Sequence, residues 1–554
     1  MFSKYILTTL LLIGSNASLI AEEVLADETR LLDSMSFEEL LNTEIATGAP
    51  IKQKFAPATT SILTSDEIRR SGARTLHEAL EQVPGLHIYP SDIDLASLKV
   101  SIRGIQTGYS PQVLFLMDGS PLNDLFNGHP GYVFQMPVSI IHRIEVIRGP
   151  GSALHGADAF SGVINIISKK HDNITDQVGM RYGSFGTMEA WLNQSVDVNE
   201  VRIGLALSIM QSDGDDGRVV EDRGGTSGPL DTRYDTAYLH ADISYKEIDI
   251  NLLFERNRDL GVGIGRVNYL DPNGFVDKDR ILMDIQNVNN SWFDDTTIKL
   301  GAYFSYLDSQ SNNNPINKGP KAYRKGNPYA QEYMSGLSAN AIYKGFDNHT
   351  INVKLGYKYG KLDPSQSKNF GPDVVDGVMT DVTDNPNAVY ILEQTRKNYY
   401  GLLQDEYNIN NDLVLTTGMR YDHYDDFGST VNPRLALVWQ NSENLTFKAI
   451  YGRAFRAPSF GELYTINSLA WQGNPELDPE TIDTYELAMN FRAKLHTKLN
   501  LFYYQAKDLI NYVQDPLTTT RTAQNVKNQT GYGLELELEY ALTDYISLRG
   551  NYSY

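Results

Sequence analysis

The sequence predicts a two-part protein, in which an α/β unit of modest size precedes a large domain built almost entirely of β-strands. Two observations lead to this prediction. Between residues 44 and 170, helix-capping signals alternate with short apolar strands. From about Gln177 onward, apolar and polar residues alternate with a period of two, which is the side-chain period of a β-strand.

The N-terminus has the order of an export signal: a charged residue, an apolar run and then small residues. Lys4 supplies the charge, residues 6–13 the apolar run, and Ala17 and Ala21 are candidate cleavage positions. The run is too short to cross a bilayer, and no later segment has the ~18 consecutive apolar residues of a transmembrane helix. We therefore expect an exported protein with a signal peptide at residues 1–21.

Composition excludes several functional classes. The chain of 554 residues has no cysteine, so disulfides, thiolate metal sites and cysteine nucleophiles are excluded. A net charge of −21 argues against a nucleic-acid partner. Neither a Gly-x-Ser-x-Gly nor a His-Glu-x-x-His motif is present, and we expect neither an enzyme nor a cofactor. The 34 tyrosines suit the aromatic girdles of an outer-membrane barrel.

Two helices are predicted in the α/β unit. Thr64 and Glu67 have the spacing of a capping box, and Gly72 is placed to end the helix that they begin. The same signals predict a second helix from a second box and a Pro-Gly stop, at Thr75, Glu78, Pro84 and Gly85. Short strands are predicted at 99–103, 113–117, 143–147 and 163–167, with polar loops at 87–96, 104–112 and 118–132.

The large domain alternates strictly in segments such as 201–209, 237–245 and 534–540. A soluble sandwich also alternates, with its apolar face inward. The alternation alone does not separate these two folds. The export signal and the length of the chain favour a membrane barrel, and so does the rhythm of the connections, since such a barrel has short turns at one end and long loops at the other. A tight turn is predicted at 197–200, and long loops are predicted at 213–233, 261–279, 309–332 and 363–387.

The segment Ile144–Lys170 reads IEVIRGPGSALHGADAFSGVINIISKK. Gly151 and Gly156 have the spacing of a phosphate-binding loop, but Ala157 and Asp158 stand where that loop needs Lys and Ser or Thr. The glycines are better interpreted as turn residues. The whole segment resembles the end of the plug domain of TonB-dependent outer-membrane receptors.

Further motifs in the large domain resemble the same family: NPRLAL at 432–437, which looks like a strand start, AFRAPS at 454–459, ELY at 462–464 and GNPELDPE at 473–480. The resemblance implies a transmembrane barrel with an α/β plug inside it, and this family has 22 strands. The sequence accounts for about 16 to 19 strands, so we expect the last ones to be missing. The implied organisation is a periplasmic extension at 22–48, a plug at 49–170 and a C-terminally incomplete barrel at 171–554.

The resemblance also implies the function. Such receptors bind a scarce nutrient outside the cell and import it with inner-membrane energy, which TonB transmits together with ExbB and ExbD. The implied TonB box, which pairs as an added strand, is Glu44, Ile45, Ala46, Thr47 and Gly48; a plain linker is the alternative. A monomer in the outer membrane, surrounded by lipid and lipopolysaccharide, is expected.

Ligand candidates come from the plug's outer loops and from arginines of the barrel. Aromatic and polar groups beside cations suit an anionic metal chelate. The predicted ligand-binding residues are Tyr89, Asp92, Tyr109, Asn123, Asn127, His129, Tyr132, Arg266, Arg324 and Arg456. Calcium is a weaker hypothesis, with Asp213, Asp215 and Asp216 as its ligands.

The cargo stays open between several classes. A ferric siderophore is the leading hypothesis because it is the family's commonest cargo, and cobalamin is the next. Heme is disfavoured because residues 459–473 contain no histidine between the two motifs that resemble those of heme receptors. A passive channel or adhesin is the alternative outside the family, and the N-terminal α/β unit argues against a porin.

Overall fold

The computed structural model describes residues 44–46, 50–52, 56–90, 98–106, 112–263, 270, 273–313, 315–318, 323–468, 471–516, 520–543 and 546–554. No helix in these ranges has the length and apolar character needed to span a membrane.

The N-terminal α/β unit, here called the plug, contains nine short strands and three short helices. Its strands are β1 (Glu44–Ala46), β2 (Pro50–Lys52), β3 (Thr59–Thr64), β4 (Leu86–Pro90), β5 (Leu98–Ile102), β6 (Val113–Met117), β7 (Ser120–Pro121), β8 (Ile141–Arg148) and β9 (Gly162–Ser168). Its α-helices are α1 (Ser65–Ser71), α2 (Leu76–Leu80) and α3 (Ser152–His155), and 3-10 turns lie at Gly131–Gln135, Val138–Ile140 and His171–Asn173.

Five strands form the central sheet of the plug in the order β3-β8-β9-β6-β7. β6 and β9 run parallel, and the other pairs are antiparallel. Ile68 and Leu80 of the helices pack with Phe115 of the sheet in one buried cluster. This cluster extends beyond the plug to side chains of the large sheet, namely Ala206, Tyr238, Leu253 and Leu282. The plug therefore shares its hydrophobic core with the domain around it.

The first predicted helix is confirmed, and the second is partly wrong. Both hydrogen bonds of the capping box between Thr64 and Glu67 are present, and Gly72 ends α1 in the left-handed region with φ 79°. The second helix begins after Thr75 as predicted, but the Thr75 side chain makes no capping bond and α2 already ends at Leu80. The box fails because the Glu78 carboxylate instead accepts bonds from the backbone N–H and guanidinium of Arg74, at 2.7 and 2.6 Å.

The four predicted plug strands are confirmed, with limits that differ by one or two residues. Two of the predicted loops contain strands: β4 lies at the start of 87–96, and β7 lies within 118–132. β4 escaped detection because it is a short strand whose partner is β5 alone, outside the central sheet.

In its described residues the large domain consists mainly of long antiparallel strands, here called the barrel wall, with a few strands of two to four residues and one α-helix, α4 (Phe460–Tyr464). Its strands are β10 (Gln177–Tyr182), β11 (Met188–Val198), β12 (Val201–Ser212), β13 (Val219–Glu221), β14 (Ser227–Pro229), β15 (Tyr234–Tyr245), β16 (Ile248–Gly261), β17 (Phe275–Phe293), β18 (Thr296–Asn312), β19 (Pro315–Lys318), β20 (Tyr323–Tyr343), β21 (His349–Lys368), β22 (Thr380–Asp381), β23 (Gln394–Asn410), β24 (Leu413–Tyr424), β25 (Gly428–Ser442), β26 (Leu445–Arg456), β27 (Trp471–Gln472), β28 (Glu480–Phe491), β29 (Leu495–Gln514), β30 (Arg521–Thr543) and β31 (Ile546–Ser553).

Strands of the wall pair with their neighbours in chain order. The sheet has 20 strands, and without the short β19, β22 and β27 the remaining 17 form one antiparallel series, within the predicted range. In the described residues β10 pairs only with β11, and β31 pairs only with β30. That further strands belong between these two edges stays a prediction.

The two faces of the wall differ as the alternation predicts. In β12, Ala206 and Ser208 are buried on the inner face, whereas Leu205 and Leu207 are partly exposed on the outer face. On the outer face of other strands, large apolar side chains such as Leu337 and Leu355 are 63% and 61% exposed. The wall therefore has an apolar exterior and a polar interior, which is the distribution of a transmembrane β-barrel.

The tight turn at 197–200 is confirmed between β11 and β12. Three of the long loops are shorter than predicted, because the polar residues at their ends continue the strands. β17 begins at Phe275, β20 begins at Tyr323, and β21 runs to Lys368. The loop at 213–233 contains the hairpin of β13 and β14. The NPRLAL motif lies inside β25 and not at its start.

Replacing Thr64 by Ala should weaken α1, because the backbone N–H of Glu67 then loses its capping acceptor. We expect a cost of about 1 kcal/mol, seen as faster amide hydrogen exchange in the peptide that covers α1. Thr64→Ser keeps the hydroxyl and is the control. Equal exchange in the Ala and Ser variants would contradict the capping assignment.

Candidate functional site

The plug is joined to the barrel wall by buried ion pairs at one end of the wall. Arg103 contacts Glu486 of β28 at 2.9 Å and Glu535 of β30 at 3.0 Å. Arg148 contacts the same Glu535 at 3.1 Å and Glu537 at 2.6 Å. All of these side chains except Glu537 are at most 3% exposed. Their charges have left water and depend on one another, so removing one partner is costly.

Polar contacts also surround the plug from other strands of the wall. Arg434 and Lys448 donate to the backbone carbonyls of Pro57 and Ala56, at 2.7 and 2.8 Å. On another side, Ser120 donates to Asp284 of β17 at 3.0 Å. The plug is thus contacted by several strands of the wall, namely β17, β25, β26, β28 and β30.

The opposite end of the plug carries an apex loop, residues 122–129, which holds several of the predicted ligand residues. The Asn123 amide accepts from the backbone N–H of Phe115 at 2.8 Å and donates to the carbonyls of Val113 and Gly128, at 3.0 and 2.9 Å. It is 5% exposed. Asn123 therefore shapes the loop and has no free surface for a ligand.

His129 has a similar structural role. Its Nδ1 accepts from the backbone N–H of Gly131 at 2.8 Å, so its Nε2–H donates to the carbonyl of Leu98, also at 2.8 Å. Burial lowers the pKa of His129 to about 4. The imidazole is therefore neutral at physiological pH, and both of its nitrogens are hydrogen-bonded within the plug.

Two more predicted residues are buried in this state. Tyr132 is 7% exposed, and the Lys278 ammonium lies 5.5 Å from its ring centre. Arg456 is fully buried: its guanidinium contacts Glu462 and Glu480, each at 2.7 Å. Because both side chains are buried, neither is placed to touch a ligand in this state. Motif and composition did not reveal this, since they carry no information on how deeply a side chain packs.

Three predicted residues keep partly exposed side chains. Tyr89 stacks on His87 at 5.4 Å between ring centres and contacts Gln106 through its hydroxyl. Asn127 uses its backbone N–H to close the apex loop on Asp124 at 2.7 Å. Arg324 lies 5.6 Å from the ring centre of Phe370, and its buried Nε has no hydrogen-bond partner among the described residues.

For the remaining predicted ligand, calcium and TonB-box residues, the structure shows no binding site. Asp92, Tyr109, Arg266, Thr47 and Gly48 lie outside the described residues. In the proposed calcium loop Asp215 pairs with Arg218 at 2.8 Å. The parts of the chain that the structure describes contain no group of three or more His, Asp or Glu side chains that could hold a metal ion. The remaining TonB-box residues form β1, whose Ile45 is paired in backbone register with Ile51 of β2.

Sequence reasoning missed a set of partly exposed aromatic residues around the apex loop. The rings of Phe126 and Tyr390 meet edge to face at 5.5 Å, and those of Trp471 and Tyr512 lie 6.4 Å apart. Tyr464 packs against the clusters on both sides. We call these five residues the aromatic strip. Its members are scattered from residue 126 to residue 512, so no local motif joins them; only the ELY motif pointed to Tyr464.

Two family matches cover most of the chain. Residues 52–163 match the TonB-dependent receptor plug domain, and residues 211–554 match the TonB dependent receptor-like β-barrel.

Individual relatives are more distant. The vitamin B12 transporter BtuB of Vibrio vulnificus is 26% identical over 86% of this chain and 70% of its own length. The iron-regulated outer membrane virulence protein of Vibrio cholerae is 23% identical over 99% of this chain and 80% of its own. The crystal structure of the ferric enterobactin receptor PfeA of Pseudomonas aeruginosa superposes with a TM-score of 0.69 and 19% identity, covering 90% of this chain and 80% of that one.

Glu535→Gln should loosen the plug, because Arg103 and Arg148 would both lose a buried counter-charge. The expected destabilisation is about 3–5 kcal/mol, measured as a lower denaturant midpoint and as earlier proteolysis within the plug. Glu539→Gln is the matched control, since Glu539 lies four residues further along β30 and is 31% exposed beside Arg549. Similar losses in both variants would contradict the role of the buried network.

Acidification should weaken the apex loop through His129, whose folded pKa lies below the ordinary value of 6.5. Below pH 6.5 the unfolded chain binds a proton at His129 more readily than the folded chain does. The contribution of the neutral His129 to the free energy of unfolding is therefore complete above about pH 6.5 and is lost as the pH falls towards 4. Thermal unfolding midpoints across this range should fall more steeply for the wild type than for His129→Gln. Parallel curves would contradict the assignment of a neutral His129.

Proposed function

Because the chain belongs to the TonB-dependent receptor family, we propose that it binds an extracellular iron–siderophore complex and imports it into the periplasm. The observation that carries this proposal is the plug, which lies against the inner face of the wall and is held there by buried charges such as Arg103 and Glu535. A passive channel needs an open path, whereas this arrangement needs work to open it. The outer membrane has no ATP, so the work would come from the inner membrane through TonB with ExbB and ExbD.

Backbone pairing is the physical basis for the proposed TonB contact. A strand recognised through its main chain tolerates varied side chains, which suits the segment 44–48. In the structure one edge of β1 already pairs with β2. We propose that TonB pairs with the other edge of β1 or replaces β2, and that residues 22–48 form the periplasmic extension before the plug.

The proposed ligand surface combines the aromatic strip with Tyr89, Asn127 and Arg324. Aromatic rings suit flat apolar parts of a chelate, and an arginine suits its anionic centre. A tris-catecholate iron complex such as ferric enterobactin has both properties. We propose this class of ligand, and the iron-regulated relative supports it.

Cobalamin is the second candidate, and the similarity to a vitamin B12 transporter favours it. Cobalamin also offers flat apolar groups to the aromatic strip, but it lacks the negative charge of a ferric catecholate. The effect of replacing Arg324 on ligand binding therefore distinguishes the two ligands.

The proposed setting is the bacterial outer membrane, after removal of a signal peptide at residues 1–21. Exposed apolar side chains such as Leu337 and Leu355 on the outer face support contact with outer-membrane lipid and lipopolysaccharide. We propose a monomer, because a single chain supplies both the plug and the wall that contacts it.

Binding and uptake of ferric enterobactin, vitamin B12 and heme would test the proposal, in cells with and without TonB. We expect binding of ferric enterobactin and uptake only with TonB. Arg324→Gln should weaken that binding about tenfold, the value of one charge-assisted hydrogen bond. Arg223→Gln, in an exposed loop, should leave it unchanged.

Uptake that continues unchanged without TonB would overturn the energised receptor. Binding of vitamin B12 alone, with no effect of Arg324→Gln, would replace the siderophore by cobalamin.

A further inference from the structure

The peptide Leu125–Phe126 of the apex loop is bonded to the barrel wall through all four of its backbone groups. Its two N–H groups donate to the carboxylate of Glu332 in β20, at 2.5 and 3.3 Å. Its two carbonyls accept from the backbone N–H groups of Phe460 and Gly461, at 3.1 and 2.7 Å. Phe460 and Gly461 form the first turn of α4, where backbone N–H groups have no partner within the helix.

The side of this contact that belongs to α4 is itself rigidly held. Ser459 and Glu462 form a capping box at the start of the helix. The Glu462 carboxylate also binds Arg456 at 2.7 Å, and Arg456 binds Glu480, the first residue of β28. The donors of Phe460 and Gly461 are thus fixed to the wall by a buried ion pair, and they determine where the apex loop lies.

The identity of residue 461 fits this contact. A Cβ at Gly461 would lie 2.8 Å from the backbone oxygen of Phe126, closer than real Cβ atoms approach. Alanine would favour the helix itself, since glycine is the poorer helix former. A glycine at this position is therefore explained by the approach of the apex loop and not by the needs of α4.

The same peptide touches the proposed ligand surface. The ring of Phe126 meets that of Tyr390 in the loop between β22 and β23. That loop is tied to the segment after α4, because the N–H of Ile466 donates to the carbonyl of Tyr390 at 2.7 Å. Asn467 donates to the carbonyls of Pro386 and Val389, at 2.8 and 3.0 Å. A ligand that moves Tyr390 would therefore act directly on the apex loop.

We propose that Glu332, Phe460 and Gly461 form an apex clamp on Leu125–Phe126, which positions the outer end of the plug and must open for cargo to pass. This inference rests on the proposed transport function and adds an outer attachment of the plug, separate from the ion pairs of Arg103 and Arg148. The clamp residues are positioning residues, since they act on the apex loop and not on the ligand.

Amide hydrogen exchange in the purified full chain, without ligand, tests whether the clamp exists. Gly461→Ala should push the Phe126 carbonyl away and speed exchange in the apex-loop peptide about tenfold, as expected for the loss of about one net hydrogen bond. Gly217→Ala is the matched control, because a Cβ at Gly217 meets nothing within 4 Å. Unchanged exchange at Leu125 and Phe126 in Gly461→Ala would overturn the clamp.

A reversible cross-link tests whether the clamp opens during import. The chain has no cysteine, and a Cβ at Gly360 of β21 would lie 3.7 Å from Cγ of Leu125, close to where a cysteine sulfur would be. In the double variant Leu125→Cys/Gly360→Cys, oxidation should leave surface binding of ferric enterobactin intact and reduce import to the level without TonB. A reductant should restore import, and each single cysteine variant should be insensitive to oxidation.

Import that is equal in the oxidised and reduced double variant would show that the apex loop stays on the wall, and it would overturn the proposed opening. If the wild type imports neither ferric enterobactin nor vitamin B12, the proposed transport function fails instead. The exchange measurement needs no ligand and would still decide whether the clamp exists.

Discussion

Charged side chains buried on the inner face of the barrel wall need partners away from bulk water, and the plug supplies several of those partners. The constraint follows from the period-two strands, which place apolar side chains outside and polar ones inside. Glu486 and Glu535 illustrate it. Each is almost completely buried, and each is neutralised by an arginine that the plug inserts. Wall and plug therefore stabilise one another, since each would leave buried charges without a counter-charge if the other were absent.

The attachments of the plug differ in chemistry between its two ends. Near Arg103 and Arg148 the contacts are ion pairs between side chains, whose strength depends on exclusion of water. At the apex the contacts are backbone hydrogen bonds between Leu125–Phe126, one carboxylate and the first turn of α4. Individually such bonds contribute little net stability. The two ends of the plug are thus held to the large domain by different kinds of interaction.

Buried arginines show how the same residue type serves different roles in this chain. Arg456 looks like a ligand group in the sequence, yet two glutamates hold it at the base of α4. Arg324 keeps an unpaired Nε beside an aromatic ring. The difference lies in the neighbours that folding brings to each guanidinium. Glu462 is close to Arg456 in the chain, but Glu480 reaches it only through the pairing of β26 with β28.

Local patterns in the chain were enough to predict the α/β unit, the first helix cap, the plug strands and the alternating wall, because capping and strand alternation act between near neighbours. The second capping box failed where Arg74 competed for Glu78, and polar strand ends were taken for loops. The site needed the tertiary structure. Asn123 and His129 hydrogen-bond to the backbone of the plug, while the aromatic strip and the apex clamp join residues hundreds of positions apart. Burial and hydrogen-bond partners at such distances are determined by how the strands of the wall pack against the plug, and no local pattern encodes them.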